Sequence, residues 1–485
     1  MWYQFIFNGI ATFEIIYILT VLFTIILVIQ QKGDPLKTTS WILVLLLFPI
    51  IGIILYFYFG KNYRRQKIFN RKELSDMDRM RDFSRMQMIE LPGKAFLNDP
   101  KIRSKLHIIT LLLNNSKSML TECNGLKIFT SGREAFDVIL DDMAAAKNHI
   151  HLEYYIIEDD KIGKRVKDVL IKKAREGVEV RIIIDDVGSW SLDSDYLQPL
   201  LEAGVHVHAF LPVRFPYFTN KINYRNHRKI VIIDGEIGHV GGMNIADRYI
   251  EGNEEVGSWK DMQLRINGEA VHSLQIIFLT DWYFVTRQVL NDDRFFPEHF
   301  TEDRRLVQIT ASGPDSDWAS IMQSYFAAIA TAEDHIYIAT PYFIPNESIL
   351  TALKTAALGG VDVRIMLPFK SDSHVVYRST LSFVGELLET GVKIYFYKKG
   401  FNHSKLMLVD GIFSSIGTAN MDIRSFDQNF EVNALIYDEE IAARLETDFL
   451  EDLESCVSYT IEEWDNRHWT NNTKESLARI LSPLF

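Results

Sequence analysis

Cysteine is nearly missing from this 485-residue chain: Cys123 and Cys456 stand far apart, with no Cys-x-x-Cys spacing. That argues against a disulfide framework or a thiolate zinc site, and a reducing compartment fits best. A basic excess is missing too. The formal net charge is −12, whereas general nucleic-acid binding needs a cationic surface to displace counterions. Nucleic acid is therefore not an expected partner, although a local basic patch remains compatible. No basic leader or small-residue cleavage site accompanies the first apolar run, so a cleaved signal peptide fits poorly.

Apolar residues make up 47% of the chain and are unevenly placed, with runs at 10–29 and 40–59. A helix of about 20 residues spans roughly 30 Å, the thickness of a bilayer's hydrocarbon core. The pattern predicts a transmembrane helical hairpin, with two buried core helices as the alternative. Glu14 falls near one end of its run, where its carboxylate reaches the interface. Lys61, Arg64, Arg65, Lys67, Arg71 and Lys72 crowd the exit of the second run, against Lys32 and Lys37 between the runs. That asymmetry places the N-terminus and everything after the hairpin on the cytoplasmic side. Each cation near anionic lipid adds about 1 kcal/mol of attraction. The expected organisation is two spans over 1–62, a charged juxtamembrane linker over 63–105, and lobes over 106–296 and 297–485.

Those lobes are expected because one pattern occurs twice. Ser131-Gly132 opens a helical segment to Ala146, then come strand 149–156, a helix closing at Gly177, strand 178–184, and a helix closing at Gly204 before strand 205–207. In the same order, Ser312-Gly313 opens a helix to Ala332, then come strand 335–338, a helix closing at Gly360, strand 361–365, and a helix closing at Gly391 before strand 392–395. Strands alternating with helices imply layered α/β architecture. Two copies of about 180 residues are too long for solenoid units and predict two similar packed lobes.

Each copy ends in one constellation. The first has His227, Lys229, Asp234 and Asn244, with Gly241-Gly242 before the asparagine; the second has His403, Lys405, Asp410 and Asn420, with Gly417-Thr418. In both, lysine follows histidine by two residues, aspartate by seven, and asparagine comes ten beyond the aspartate. One such motif carries a serious false-positive risk, but two at matching places in a repeat do not. The apolar runs 230–233 and 406–409 suit buried strands, on which residues two apart share a face. If the lobes meet there, two imidazoles and two ammonium groups surround one cavity. That cavity suits a phosphodiester: cations neutralise its oxygens, one neutral histidine attacks phosphorus, and the other hands a proton to the leaving alkoxide. The lysines supply positive charge, so neither metal nor other cofactor is expected.

The paired motif resembles the phospholipase D superfamily from about Gly125 onward. The resemblance implies two phospholipase D-type α/β/α lobes packed about a pseudo-two-fold axis. It also implies a phosphohistidine intermediate and a ping-pong course, with His227 as nucleophile and His403 as general acid, the reverse remaining open. Lys229, Lys405, Asn244 and Asn420 would bind phosphate oxygens, and Asp234 and Asp410 would orient the motif. Asp261, in Trp259-Lys260-Asp261, and Glu431, in Asn429-Phe430-Glu431, would hold the second nitrogens of the histidines. Residues 41–60, Asn226 to Lys229, Gly241 to Asp247, Gly417 to Phe426 and the tail Ala478 to Leu484 are similar to bacterial cardiolipin synthases. That family implies transfer of a phosphatidyl group from one phosphatidylglycerol to another, giving cardiolipin and glycerol at the cell membrane. Phosphatidylglycerol and anionic lipid are then the expected partners, with the oligomeric state open. A membrane phospholipase D hydrolase, or a transferase using another donor or alcohol, shares every motif residue. A nuclease fits less well, and an inert lipid-binding scaffold leaves the intact motifs unexplained.

Other features are read conservatively. His149, His151, His206 and His208 fall on expected strands and are read as structural. His374 follows a strand end where α/β sheets bind ligands and is a candidate headgroup contact. Tyr154 and Tyr342 are assigned to core packing, and Glu158-Asp159-Asp160-Lys161 to a solvated turn. Phe215, Tyr217 and Phe218, interleaved with Arg214, Lys221 and Arg225, suit either a membrane interface or a loop packed on the other lobe.

Overall fold

The computed structural model describes residues 17, 19–26, 28–30, 35–56, 75–213, 223–299 and 301–482. The cations Lys61 to Lys72, Glu14, Lys32 and the cluster Arg214, Phe215, Tyr217, Phe218 and Lys221 lie outside the described residues, as do Pro483 and Leu484. The described residues fall into two compact units, one of those up to Tyr56, the other of 75–213 with 223–482.

In the first unit, helix Pro35–Leu47 is followed by helix Pro49–Leu55. The interruption has a plain cause. Proline disfavours helical geometry in the residue before it, and Phe48 takes φ −136° and ψ 64°. Val28, Leu45 and Tyr56 form a small buried cluster, with Trp41 edge-on to Tyr56 at 5.4 Å. Leu43, Leu46, Leu47, Ile50, Ile51 and Ile54 are exposed. Among the described residues no helix is long and apolar enough to cross a membrane.

The second unit is an α/β structure of two similar lobes. The first sheet has seven strands in the order Asn124–Phe129, Gln263–Gly268, Ile237–Gly241, Lys229–Ile233, His149–Tyr154, Glu179–Asp185, His206–Phe210. In the second sheet seven strands repeat that order: Leu306–Ser312, Glu431–Tyr437, Phe413–Gly417, Leu406–Val409, His335–Ala339, Asp362–Pro368, Lys393–Tyr397. The pairings match in sense as well. His149–Tyr154 runs parallel to Glu179–Asp185 and antiparallel to Lys229–Ile233, and His335–Ala339 runs parallel to Asp362–Pro368 and antiparallel to Leu406–Val409. These strands are rich in valine and isoleucine and buried on both faces, as sheets covered on both sides require. Helix Lys161–Arg175 shows why the connections are helical. Asp160 caps its first turn, and Lys172, Lys173 and Arg175 meet the carbonyl end.

One apolar core lies between the sheets. Ile183, Ile230, Ile232 and Leu264 of the first meet Val307, Tyr337, Leu408 and Ala434 of the second. The segment that the sequence assigns to the start of the first lobe packs instead with the second. Ile108, Ile109, Leu112 and Leu113 of helix Leu106–Asn115 join the second lobe's outer core, and Leu120–Thr121 adds an edge strand beside Leu306–Ser312. Periodicity marks this helix but carries no information about which sheet it covers. The stretch read as a charged linker is helical over Ser75–Glu90.

Candidate active site

Each motif histidine enters the site directly from a short backbone pairing with the other copy. Gly400–Asn402 runs parallel to Ser258–Lys260, and the His403 N–H donates to the Lys260 carbonyl at 2.7 Å. Asn226 bridges to Phe430 in the same parallel sense, and the His227 N–H donates to the Phe430 carbonyl at 2.9 Å. On each partner strand the next residue is an acid. Asp261 therefore reaches His403, with Oδ2 at 2.6 Å from Nδ1, and Glu431 reaches His227, with its oxygens at 2.9 and 3.0 Å from Nδ1. Each carboxylate serves the histidine of the opposite copy. Asn226 and Asn402 steady the backbone just ahead of the two histidines alike, accepting from the N–H of Arg228 and Ser404 at 3.2 and 3.1 Å.

With Nδ1–H donated to a carboxylate, Nε2 is the unprotonated nitrogen of each neutral ring, and that of His403 lies 3.4 Å from Lys405 Nζ. Both rings line one cavity of about 360 Å³, together with Asn244 and Asn420. Lys229 and Lys405 are buried behind it, donating to the carbonyls of His227 and His403, and Lys405 Nζ lies 2.8 Å from His403 Nδ1. Asn244 donates to the Tyr249 hydroxyl at 2.6 Å and accepts from the Ile156 N–H at 3.2 Å. Thr418 donates its hydroxyl to Glu431 at 2.5 Å. In the first copy the matching residue is Gly242, where a Cβ would collide with the Asp261 carboxylate. Here glycine makes room for the acid, while in the second copy threonine hydrogen-bonds it.

Asp234 and Asp410 stand at the opposite ends of their strands, roughly 15 Å of extended chain from the lysines. Asp234 accepts from the backbone N–H groups of Lys147, Asn148 and His149 at 2.7–2.9 Å. Asp410 accepts from those of Glu333, Asp334 and His335 and from Lys105 Nζ at 2.5 Å.

Burial sets the proton balance. It pushes His227 down to about 4 against the opposing pull of Glu431, with Lys229 adding to the fall. His403 falls to about 4 through burial and Lys405, against Asp261. Burial would raise Glu431, but His227, Lys229 and Thr418 hold it down at about 2. Lys229 is lowered to about 7, chiefly by burial, and Lys405 is lowered for the same reason. At neutral pH both imidazoles are thus neutral, His227 against ionised Glu431, and either can act as a nucleophile. An anion entering between them favours the imidazolium form, so the second ring can take up the proton that a leaving alkoxide needs.

Sequence reasoning missed much of the lining: Tyr155, Arg225, Arg248, Tyr249, Trp259, Asp372 and Arg424. Apart from Trp259, on strand Ser258–Lys260, these lie in loops and helix starts without a repeated spacing, so only the tertiary fold gathers them. Tyr342, assigned to core packing, instead lines the cavity, because it lies beyond the end of its strand. His374 is not among the lining residues, whereas its neighbours Asp372 and Ser373 are. Tyr154 is buried in the core. Glu158 pairs with the lining residue Arg248 at 2.6 Å, and Asp160 caps a helix.

Two sheets of one topology, meeting where each contributes a carboxylate-held histidine, define the phospholipase D-like class. Residues 139–282 and 325–453, each holding one motif, match the family model described as cardiolipin synthase, PLD-like domain; residues 16–61 match a phospholipase D-nuclease N-terminal model. The chain is 44% identical over 469 residues to a cardiolipin synthase of Geobacillus sp. (strain WCH70), covering 96% of this chain and 92% of that protein. It is 42% identical over 485 residues to a cardiolipin synthase of Halalkalibacterium halodurans, covering 98% and 94%. The crystal structure of phosphatidylserine synthase from Haemophilus influenzae Rd KW20 superposes with a TM-score of 0.61 at 14% identity, over 80% of this chain and 100% of that one, a likeness of fold. The chain belongs to the cardiolipin synthase family and is a phosphatidyltransferase.

Proposed function

We propose that this chain condenses two phosphatidylglycerol molecules to cardiolipin and glycerol through a phosphohistidine. The observation that carries this reading is the single cavity lined by two imidazoles, each aimed by a carboxylate from the opposite copy. His227 Nε2 attacks the phosphorus of the first lipid, the bond to the glycerol oxygen breaks, and His403 gives that oxygen its proton. The second lipid's glycerol hydroxyl then passes its proton to His403 and attacks phosphorus. The phosphorus–nitrogen bond breaks and cardiolipin leaves. Lys229, Lys405, Asn244 and Asn420 neutralise or bind phosphate oxygens. Asp261 and Glu431 position the imidazoles, and Asp234 and Asp410 hold the motif strands to the neighbouring loops. The charge requirement is met by these side chains, with no metal or other cofactor assigned.

The substrates are membrane lipids, and we place the chain at the cell membrane through an N-terminal hairpin, with the lobes on the cytoplasmic side. Supporting this are the apolar runs at 10–29 and 40–59, the exposed leucines and isoleucines of helices Pro35–Leu47 and Pro49–Leu55, and the cations after the second run. Such a surface is costly in water and favourable in lipid. The acidic overall balance argues against nucleic acid as a partner.

Purified full-length protein incubated with phosphatidylglycerol should yield cardiolipin and an equal amount of glycerol by mass spectrometry, and His227→Ala should yield neither. Phosphatidic acid as the sole lipid product would make the chain a hydrolase and defeat this reading.

A further inference from the structure

The cavity walls differ in chemistry although the lobes repeat one topology. Beside His227 stand Tyr155, Arg225 and Arg424. Tyr155 packs against the His227 ring at 4.9 Å, and the field of both guanidinium groups reaches its phenol. Beside His403 stand Tyr342 and Asp372. Tyr342 lies edge-on to the His403 ring at 6.2 Å and donates its hydroxyl to the two Asp372 oxygens at 2.8 and 2.7 Å. The charge of Asp372 reaches His403. Asn420 faces the same cavity and is 5% exposed, and its Oδ1 has no hydrogen-bond partner among the described residues. A buried carboxamide oxygen left unpaired is costly unless a ligand donates to it.

A carboxylate repels phosphate, so this wall is not built for the phosphodiester itself. A carboxylate, a phenol oxygen and a carboxamide oxygen share one capacity, which is to accept hydrogen bonds. The complementary ligand carries donors without negative charge. An ammonium group meets an obstacle, because Arg248 lies over Tyr249 and Trp259 at 5.7 and 5.8 Å, and both rings pack on His403. Hydroxyl groups meet none.

We propose that Asp372, Tyr342 and the Oδ1 of Asn420, whose amide nitrogen is the atom left to serve phosphate, form a subsite for the hydroxyl next to the reacting oxygen of glycerol, filled first by the glycerol that departs and then by the glycerol headgroup of the acceptor lipid. The inference rests on the phosphatidyl-transfer reading above. The reacting oxygen lies at His403 and its neighbouring hydroxyl on Asp372. Departing and arriving alcohols are the same chemical fragment, so one subsite serves both half-reactions. The arrangement puts the alcohol on the His403 side and the nucleophile on the His227 side. Water has no second hydroxyl for this wall to hold, which favours synthesis over hydrolysis.

The test uses full-length wild type, Asp372→Asn and Tyr342→Phe with fluorescent-acyl phosphatidylglycerol in mixed micelles. Deuterated glycerol, 1-propanol and ethanolamine compete as acceptors, and products are resolved by mass spectrometry. Transfer to propanol needs no second hydroxyl and reports the intact chemical step. A site built around a substrate hydroxyl discriminates strongly against analogues that lack it. Asp372→Asn should therefore lower the ratio of glycerol to propanol product about tenfold, Tyr342→Phe should lower it in the same direction, and phosphatidic acid should rise. A glycerol-to-propanol ratio unchanged in both variants overturns the proposal, and so does a fall confined to ethanolamine, which would mark an amine site. Wild type that transfers to these alcohols but makes no cardiolipin defeats the condensation reading, while the same ratio still decides the role of Asp372.

Discussion

Nδ1 of His227 faces an anion with almost no tendency to take up a proton, since Glu431 is held at about 2. That contact fixes the tautomer and the ring's direction rather than supplying a proton. Glu431→Gln and Asp261→Asn should therefore each lower kcat by about a hundredfold or more with KM little changed, measured by steady-state turnover of phosphatidylglycerol. An unchanged kcat would remove both acids from the positioning role. The pH dependence has a definite sign. His227 must be neutral to attack, so kcat/KM should rise with pH through about 4. In the proposed mechanism His403 must be protonated to release the alcohol and Lys229 charged to draw in phosphate, so kcat/KM should fall as pH rises, Lys229 losing its charge through about 7. The profile is then bell-shaped, and a monotonic rise between about pH 5 and 9 would contradict this division of labour. At this scale the paired motifs and both acids were legible from spacing and resemblance. Asp372 and Arg424 were not, because single residues outside a repeat carry no pattern.

Turns and strand ends decide what the motif aspartates do. Asp234 and Asp410 take φ of 55° and 56°, a left-handed conformation that asparagine and aspartate tolerate best among side-chain-bearing residues. Each gathers backbone N–H groups from the loop before the adjacent strand. Asp234→Ala should destabilise the fold by about 2–4 kcal/mol, while Asp234→Asn should recover most of that loss, both read by chemical denaturation. Strong loss of turnover in a fully stable Asp234→Asn protein would instead place the carboxylate in the chemistry. His335, at the start of its strand, behaves oppositely to the motif histidines His227 and His403. Burial lowers it, but Glu446 at 2.6 Å and Asp334 at 2.8 Å outweigh burial and raise it to about 9. A raised histidine stabilises the fold fully below its unfolded value near 6.5, and the contribution is lost as pH climbs through about 9. His335→Gln should thus cost up to about 3 kcal/mol at pH 6 and little at pH 9.5, visible as a shrinking difference in Tm. Helix ends were readable because Gly177, Gly204, Gly360 and Gly391 all take positive φ just after helices, as their sequence context suggested.

Over the whole molecule, the two copies exchange acids across their junction. Gly400 sits where a Cβ would strike the Ser258 carbonyl, so Gly400→Ala should prise apart the strand pair that seats His403 over Asp261. The expected result is loss of turnover by about tenfold or more with a Tm drop of a few degrees; normal turnover would show that this pairing does not align the site. The sequence by itself determined the duplication, the α/β class, most strand and helix positions, and both motif sets, because period, glycine punctuation and spacing are local properties of a chain. The family resemblance, rather than spacing, singled out Asp261 and Glu431, without saying which histidine each serves. Only the tertiary structure decided that the acids cross over, that helix Leu106–Asn115 belongs to the second lobe, and that Tyr342 faces the cavity. Those choices rest on contacts between residues far apart along the chain, and such contacts depend on how two sheets share a core rather than on any pattern within one segment.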